Sequence, residues 1–134
     1  MPTRNGYKNE GILKDTLDFT SKNMIISSPE MLNRSIVLTD IDNNENRYVC
    51  KMRDKAIVGR SRSADICITS DVGLSRRHCR FYFLNDDLYI HDMGSVNHTV
   101  INGHILTKDD RDINVQDGDL LILGNTKLQI SIEN

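Results

Sequence analysis

The stretch from Asp71 to Phe83 reads DVGLSRRHCRFYF. Ser75, Arg76, Arg77 and His78 stand side by side in it, and an apolar run follows at once. Three chemistries use such residues. A serine near a histidine is the start of a hydrolase pair. Clustered arginines bind nucleic acid. A hydroxyl flanked by guanidiniums can also cradle one anion, because the planar guanidinium donates two parallel hydrogen bonds to phosphate oxygens. The first two readings lack support. There is no G-x-S-x-G elbow, and no third group is identifiable that would orient His78. Aromatic stacking platforms are scarce: aromatics make up 5% of the chain, Trp is absent and the net charge is −2.

Residues elsewhere suit the anion. Gly59–Arg60 closes the apolar run KAIVGR and projects a guanidinium from a strand end. Ser75 offers a hydroxyl and a loop N–H, and Arg76 adds a second cation beside it. Asn97, in a Gly-Ser-Val-Asn turn, can donate and accept at once, which suits gripping a peptide backbone. Charge is asymmetric along the chain. Arg47–Arg80 holds nine Lys or Arg and three acids, whereas Phe81 to the end holds three and nine. That pattern points to a local anionic ligand rather than a wholly basic domain. Metals fit poorly. His91, His98 and His104 with Cys67 or Cys79 match no zinc spacing. Asp109, Asp110 and Asp112 lack the glycine spacing of an EF-hand and read as turn formers in a polar loop. No metal or cofactor is expected.

The elements that must position these residues are strands. From about Met31 the chain falls into short apolar runs: RSIVLTDI, RYVCKMR, KAIVGR, DICITS, CRFYFL, DLYIHD, TVI, HIL, DLLILG and KLQISI. In the last, Leu128, Ile130 and Ile132 alternate with Lys127, Gln129 and Ser131, the period of a half-buried strand. Asn102–Gly103 calls for a type I′ hairpin turn. Asp117–Gly118 and Gly124–Asn125 mark further turns. The expectation is an all-β antiparallel sandwich of ten or eleven strands over residues 31–134, with function on the loops at one end. With few aromatics, its core must rest on Ile, Val, Leu and Met. Residues 1–30 are polar, lack sustained periodicity and read as a tail or linker. No apolar run is long enough for a membrane span, and the first residues hold no apolar signal block. Cys50, Cys67 and Cys79, odd in number and without paired spacing, predict reduced, buried thiols and a cytoplasmic setting.

The order of these pieces resembles a forkhead-associated (FHA) domain: GRS, then SRRH with Ser75 fifteen positions after Arg60, then DMGSVNHTVING. The resemblance implies an eleven-strand sandwich that reads phosphothreonine peptides without catalysis. By matching position, Arg60 and Ser75 would bind the phosphate with Arg76 assisting, and Asn97 would hold the peptide backbone. Gly59 and His78 would be scaffold, and Asn102–Gly103 the hairpin turn. Two positions depart from the family pattern. His98 replaces a glycine, which implies a different loop backbone or a bulkier rim. Val96 stands where a hydroxyl often helps the phosphate, at a cost of about 0.5–1.5 kcal/mol. The implied partner is a phosphothreonine protein or peptide, such as a Ser/Thr kinase substrate. The competing reading is an FHA-fold scaffold for an unphosphorylated surface. The tail offers an internal candidate ligand in Thr16, with Phe19 three positions on; otherwise it is a plain linker.

Overall fold

The computed structural model describes residues 34–134. The expected tail, Thr16 within it, and residues 31–33 lie outside the described residues. Eleven strands follow in chain order: β1 (Ser35–Asp40), β2 (Arg47–Lys51), β3 (Lys55–Gly59), β4 (Ile66–Cys67), β5 (Cys79–Leu84), β6 (Asp87–Asp92), β7 (Thr99–Ile101), β8 (His104–Leu106), β9 (Ile113–Val115), β10 (Leu120–Leu123) and β11 (Thr126–Glu133). They form two sheets, β9–β6–β5–β3–β4 and β2–β1–β11–β10–β7–β8, with no helix among the described residues.

Period-two alternation builds the core between the sheets. Along β11, Leu128 and Ile130 are fully buried while Lys127 and Gln129 face solvent. Along β5, Cys79 and Phe81 point inward and Arg80 and Tyr82 outward. Ile36, Leu38, Met52, Val58, Ile90 and Leu121 complete the same interior. Each such side chain contributes about 1.5–3 kcal/mol by leaving water. The expected Ile, Val, Leu and Met core is therefore present, with Phe81 the one fully buried aromatic among the described residues.

Three details differ from the expectations. The pairing is antiparallel except for β3 and β4, which run parallel through Val58–Ile66 and Gly59–Cys67. The carboxylate of Asp65 accepts the Ile57 N–H at 2.7 Å, and this side chain pins the returning chain beside β3. Next, β9 falls in the segment read as a polar loop. It is too short to show periodicity and forms only by pairing with β6, Ile113 opposite Ile90. Its neighbour Asp112 is no turn former: it accepts the Tyr82 hydroxyl and meets His91 Nδ1 at 2.7 Å on the sheet's outer face. Burial and the Asp112 contact push the Tyr82 phenol up to about 12. Last, only Cys79 is fully buried, because Cys50 sits on an edge strand and Cys67 on a two-residue one.

Candidate functional site

Four connections meet at one end of the sandwich: 60–65 after β3, 68–78 after β4, 93–98 after β6, and Gly124–Asn125 between β10 and β11. Backbone rungs join the first two. Arg60 N donates to Ser75 O at 3.0 Å, and Ser61 N to Arg76 O at 3.1 Å. The approach is so close that a Cβ on Gly59 would stand 1.9 Å from Arg76 O. Only glycine fits there, for reasons of space and not of dihedral angle.

His78 lies beneath these loops, fully buried. Its Nδ1 accepts the Ser75 N–H at 3.0 Å, so the ring is neutral with its proton on Nε2, which donates to His98 O at 2.7 Å. One imidazole thus ties the 68–78 loop to the 93–98 loop. Burial holds it below the ordinary imidazole value, against the opposing pull of the His98 carbonyl. Both ring nitrogens are occupied by backbone groups, and neither meets the Ser75 hydroxyl. The hydrolase pair weighed from the sequence has no geometric basis.

Two buried carboxylates complete the frame. Asp71 accepts from Gly73 N at 2.8 Å, Asn125 N at 2.7 Å and Thr126 Oγ1 at 2.6 Å, bolting the 68–78 loop to the β10–β11 turn. Burial pushes this carboxyl up, but the bonds from Thr126, Asn125 and Gly73 outweigh it and hold it below the usual range. Asp92 accepts from Gly94 N at 3.0 Å, Ser95 N at 3.1 Å, Ser95 Oγ at 2.6 Å and Thr99 Oγ1 at 2.7 Å, which shapes the 93–98 loop. Sequence reasoning assigned neither aspartate a role. The signal was present: both begin Asp-x-Gly, the Asx-turn pattern.

The exposed residues stand on this frame. Arg60 is exposed, and its Nε donates to Leu74 O at 3.0 Å, which fixes the guanidinium and leaves its terminal nitrogens without a partner among the described residues. Ser75 Oγ accepts the Val96 N–H at 3.0 Å, so its own proton is directed elsewhere. Asn97 Nδ2 donates to Gly73 O at 2.8 Å, which orients the amide and leaves Oδ1 as an acceptor. Arg76 is exposed beside Ser75. Of the two departures, His98 keeps a left-handed backbone, φ +63°, so the glycine-like path survives and the added side chain stands exposed at the rim. Val96 is 81% exposed, an apolar side chain where a hydroxyl was expected. Asn102 and Gly103, at φ +49° and +81°, make the turn between β7 and β8 at the opposite end of the sandwich.

The end therefore presents the Arg60 guanidinium, the Ser75 hydroxyl and the Asn97 amide, each held by a bond to the loop backbone, while the Asp71 and Asp92 carboxylates are taken up within the frame. The FHA domain family model matches residues 56–124, just over half of the chain and nearly all of this frame. The chain belongs to the FHA domain family. A solved FHA domain, studied for phosphothreonine-dependent interactions, is 26% identical over 72% of this chain and 95% of its own, with a TM-score of 0.61. The solution structure of an FHA domain from an Arabidopsis thaliana hypothetical protein is 27% identical over 83% and 96%, TM-score 0.68. Mycobacterium tuberculosis EmbR, solved with a low-affinity phosphopeptide, shares the fold at 19% identity over 74% of this chain and 24% of its own, TM-score 0.64. No match is found among curated proteins. FHA domains are interaction modules, and no helix among the described residues is long and apolar enough to cross a membrane.

Proposed function

We propose that this FHA domain is a non-catalytic reader of phosphothreonine in a partner protein or peptide. Arg60 and Ser75 bind the phosphate, Arg76 assists, and Asn97 holds the peptide backbone. The observation that carries the reading is the rung from Arg60 N to Ser75 O, which holds the two backbones side by side, with the Arg60 guanidinium anchored on the neighbouring Leu74 O. Pre-set donors avoid part of the ordering cost of binding. The phosphate brings about −1.5 to −2 charges at pH 7. Each charge-assisted bond to it contributes about 1.5–3 kcal/mol, and a micromolar complex needs about 8 kcal/mol net. A few such bonds suffice. The odd cysteine count without paired spacing supports a reducing, cytoplasmic setting.

Calorimetry with matched phosphorylated and plain peptides tests the reading. The phosphorylated peptide binds and the plain one does not; equal affinities would favour the scaffold for an unphosphorylated surface. Arg60→Ala removes a charge partner worth about 2–5 kcal/mol, a loss of thirtyfold or more. Its melting temperature stays close to wild type, because Arg60 is exposed and supports little core.

A further inference from the structure

We propose that the peptide accepted here carries a second anionic side chain, phosphorylated or carboxylate, held by Arg62 and Arg77 beside the phosphothreonine seat. This rests on the phosphothreonine reading above and extends it to the class of peptide. The two rungs between the 60–65 loop and residues 75–76 hold those backbones at sheet-like spacing, about 4.8 Å. Arg60, Arg62, Arg76 and Arg77 are all exposed along this seam.

Arg62 does not sit on a loose loop. Ala64 N donates to Ser61 O at 3.0 Å, Ser63 N donates to Ser61 Oγ at 3.2 Å, and the two serine hydroxyls meet at 2.8 Å. The turn holds Arg62 at its tip, with a serine hydroxyl on either side. One hydroxyl proton is used in the bond between the serines, which leaves one O–H donor on a residue next to the Arg62 guanidinium in sequence.

Three carboxylates near in sequence accept bonds from other groups. Asp65 binds the Ile57 N–H, Asp71 binds the Asn125–Thr126 turn, and Asp92 binds the 94–99 segment. Among the described residues the ion pairs are Arg47–Glu133 and His91–Asp112, so none of the four arginines has a carboxylate partner there. One phosphate of about −1.5 to −2 charges leaves roughly two of the four positive charges unmatched. A second anion on the peptide matches them. Arg62 follows Arg60 by two positions and Arg77 follows Ser75 by two, so both flank the proposed phosphate-binding pair along the chain. With an extended peptide advancing about 3.3 Å per residue, the second group falls one to three residues from the phosphothreonine.

The test uses synthetic peptides of otherwise uncharged sequence. One carries phosphothreonine alone. Others add a second phosphoserine, or an aspartate pair, at one to three positions on either side. A last one is unphosphorylated. Calorimetry at about 50 mM and 500 mM salt compares wild type with an Arg62→Ala, Arg77→Ala double variant. The expected result is binding about tenfold tighter for the doubly anionic peptides of one side at low salt, shrinking at high salt. The double variant removes that gain and keeps the affinity for singly phosphorylated peptide within about twofold. The phosphoserine and aspartate arms tell which anion is read. Equal affinity for singly and doubly anionic peptides overturns the proposal, as does a gain that survives in the double variant. Capture of a DNA oligonucleotide by the same arginines, without a peptide preference, also overturns it and assigns the patch to nucleic acid. The underlying reading fails separately, when phosphothreonine alone binds no better than the unphosphorylated peptide.

Discussion

Gly59→Ala adds one methyl group to the chain and reaches the whole binding end. The new Cβ would stand 1.9 Å from Arg76 O and 2.6 Å from Arg76 C, where real contacts essentially never fall below 3.0 Å. Backbone cannot rotate aside as a side-chain tip can, so the Ser75–Arg76 segment must move. Its rungs to Arg60 N and Ser61 N, now 3.0 and 3.1 Å, then lengthen. Losing two such bonds costs about 1–3 kcal/mol, and overpacking a tight site adds about 1–3 kcal/mol. A total near 2–6 kcal/mol lowers the melting temperature of a domain of this size by about 10–40 °C. Phosphopeptide affinity falls with it, because the same rungs align Arg60 with Ser75. Scanning calorimetry and peptide titration below the lowered melting temperature measure both. Gly103→Ala is the control. No atom lies within 4 Å of its Cβ, but the φ of +81° makes it strained, at about 1–2 kcal/mol. It loses some stability and keeps wild-type binding, because the turn sits at the opposite end. A Gly59→Ala variant that melts and binds like wild type would refute the argument that this close approach sets the site.

Further outcomes follow from the same geometry. His78→Ala orphans the Ser75 N–H and the His98 carbonyl, at about 1–3 kcal/mol each, and weakens binding through loop disorder; an unchanged melting temperature with binding lost would make His78 a direct ligand contact. Because burial depresses the His78 value, the stability it contributes is full above the unfolded value of about 6.5 and is lost as pH falls below it; a pH series of denaturant melts shows this fall in wild type and a smaller one in His78→Ala. Neutralising Asp109 and Asp110 leaves phosphopeptide affinity unchanged or slightly raised, whereas Asp112→Ala lowers stability by releasing Tyr82 and His91; a large loss of peptide affinity from the first pair would place that loop at the ligand. Phosphorylating Thr16 by semisynthesis leaves the affinity for an external phosphothreonine peptide unchanged if the tail is a linker; competition, with amide shifts at Ser75 and Asn97, would make the tail an internal ligand.

Much of this domain is legible without coordinates. Alternation along KLQISI and the Asn102–Gly103 dipeptide are local signals, carried by side-chain period and backbone dihedral preference, so ten strands and their turns can be read directly. The ordered motif from Gly59 to Asn97 is equally linear, and by its resemblance to the family it names the residues proposed to bind. Tertiary structure decides everything that depends on distant residues meeting. Val96 N reaches Ser75 Oγ across 21 positions, and Asn125 reaches Asp71 across 54. No periodicity encodes such pairs, and so the sequence shows the Asp-x-Gly turns at Asp71 and Asp92 but not the distant groups that Asp71 and Asp92 bind. The same holds for β9, a strand only because β6 offers it an edge. It holds for Gly59, whose need to lack a side chain comes from a backbone that arrives 17 residues later. Binding chemistry resides in residue types that a sequence displays. Their gathering at one end of the sandwich is a property of the packed loops, because hydrogen bonds act over about 3 Å and only folding brings those groups that close.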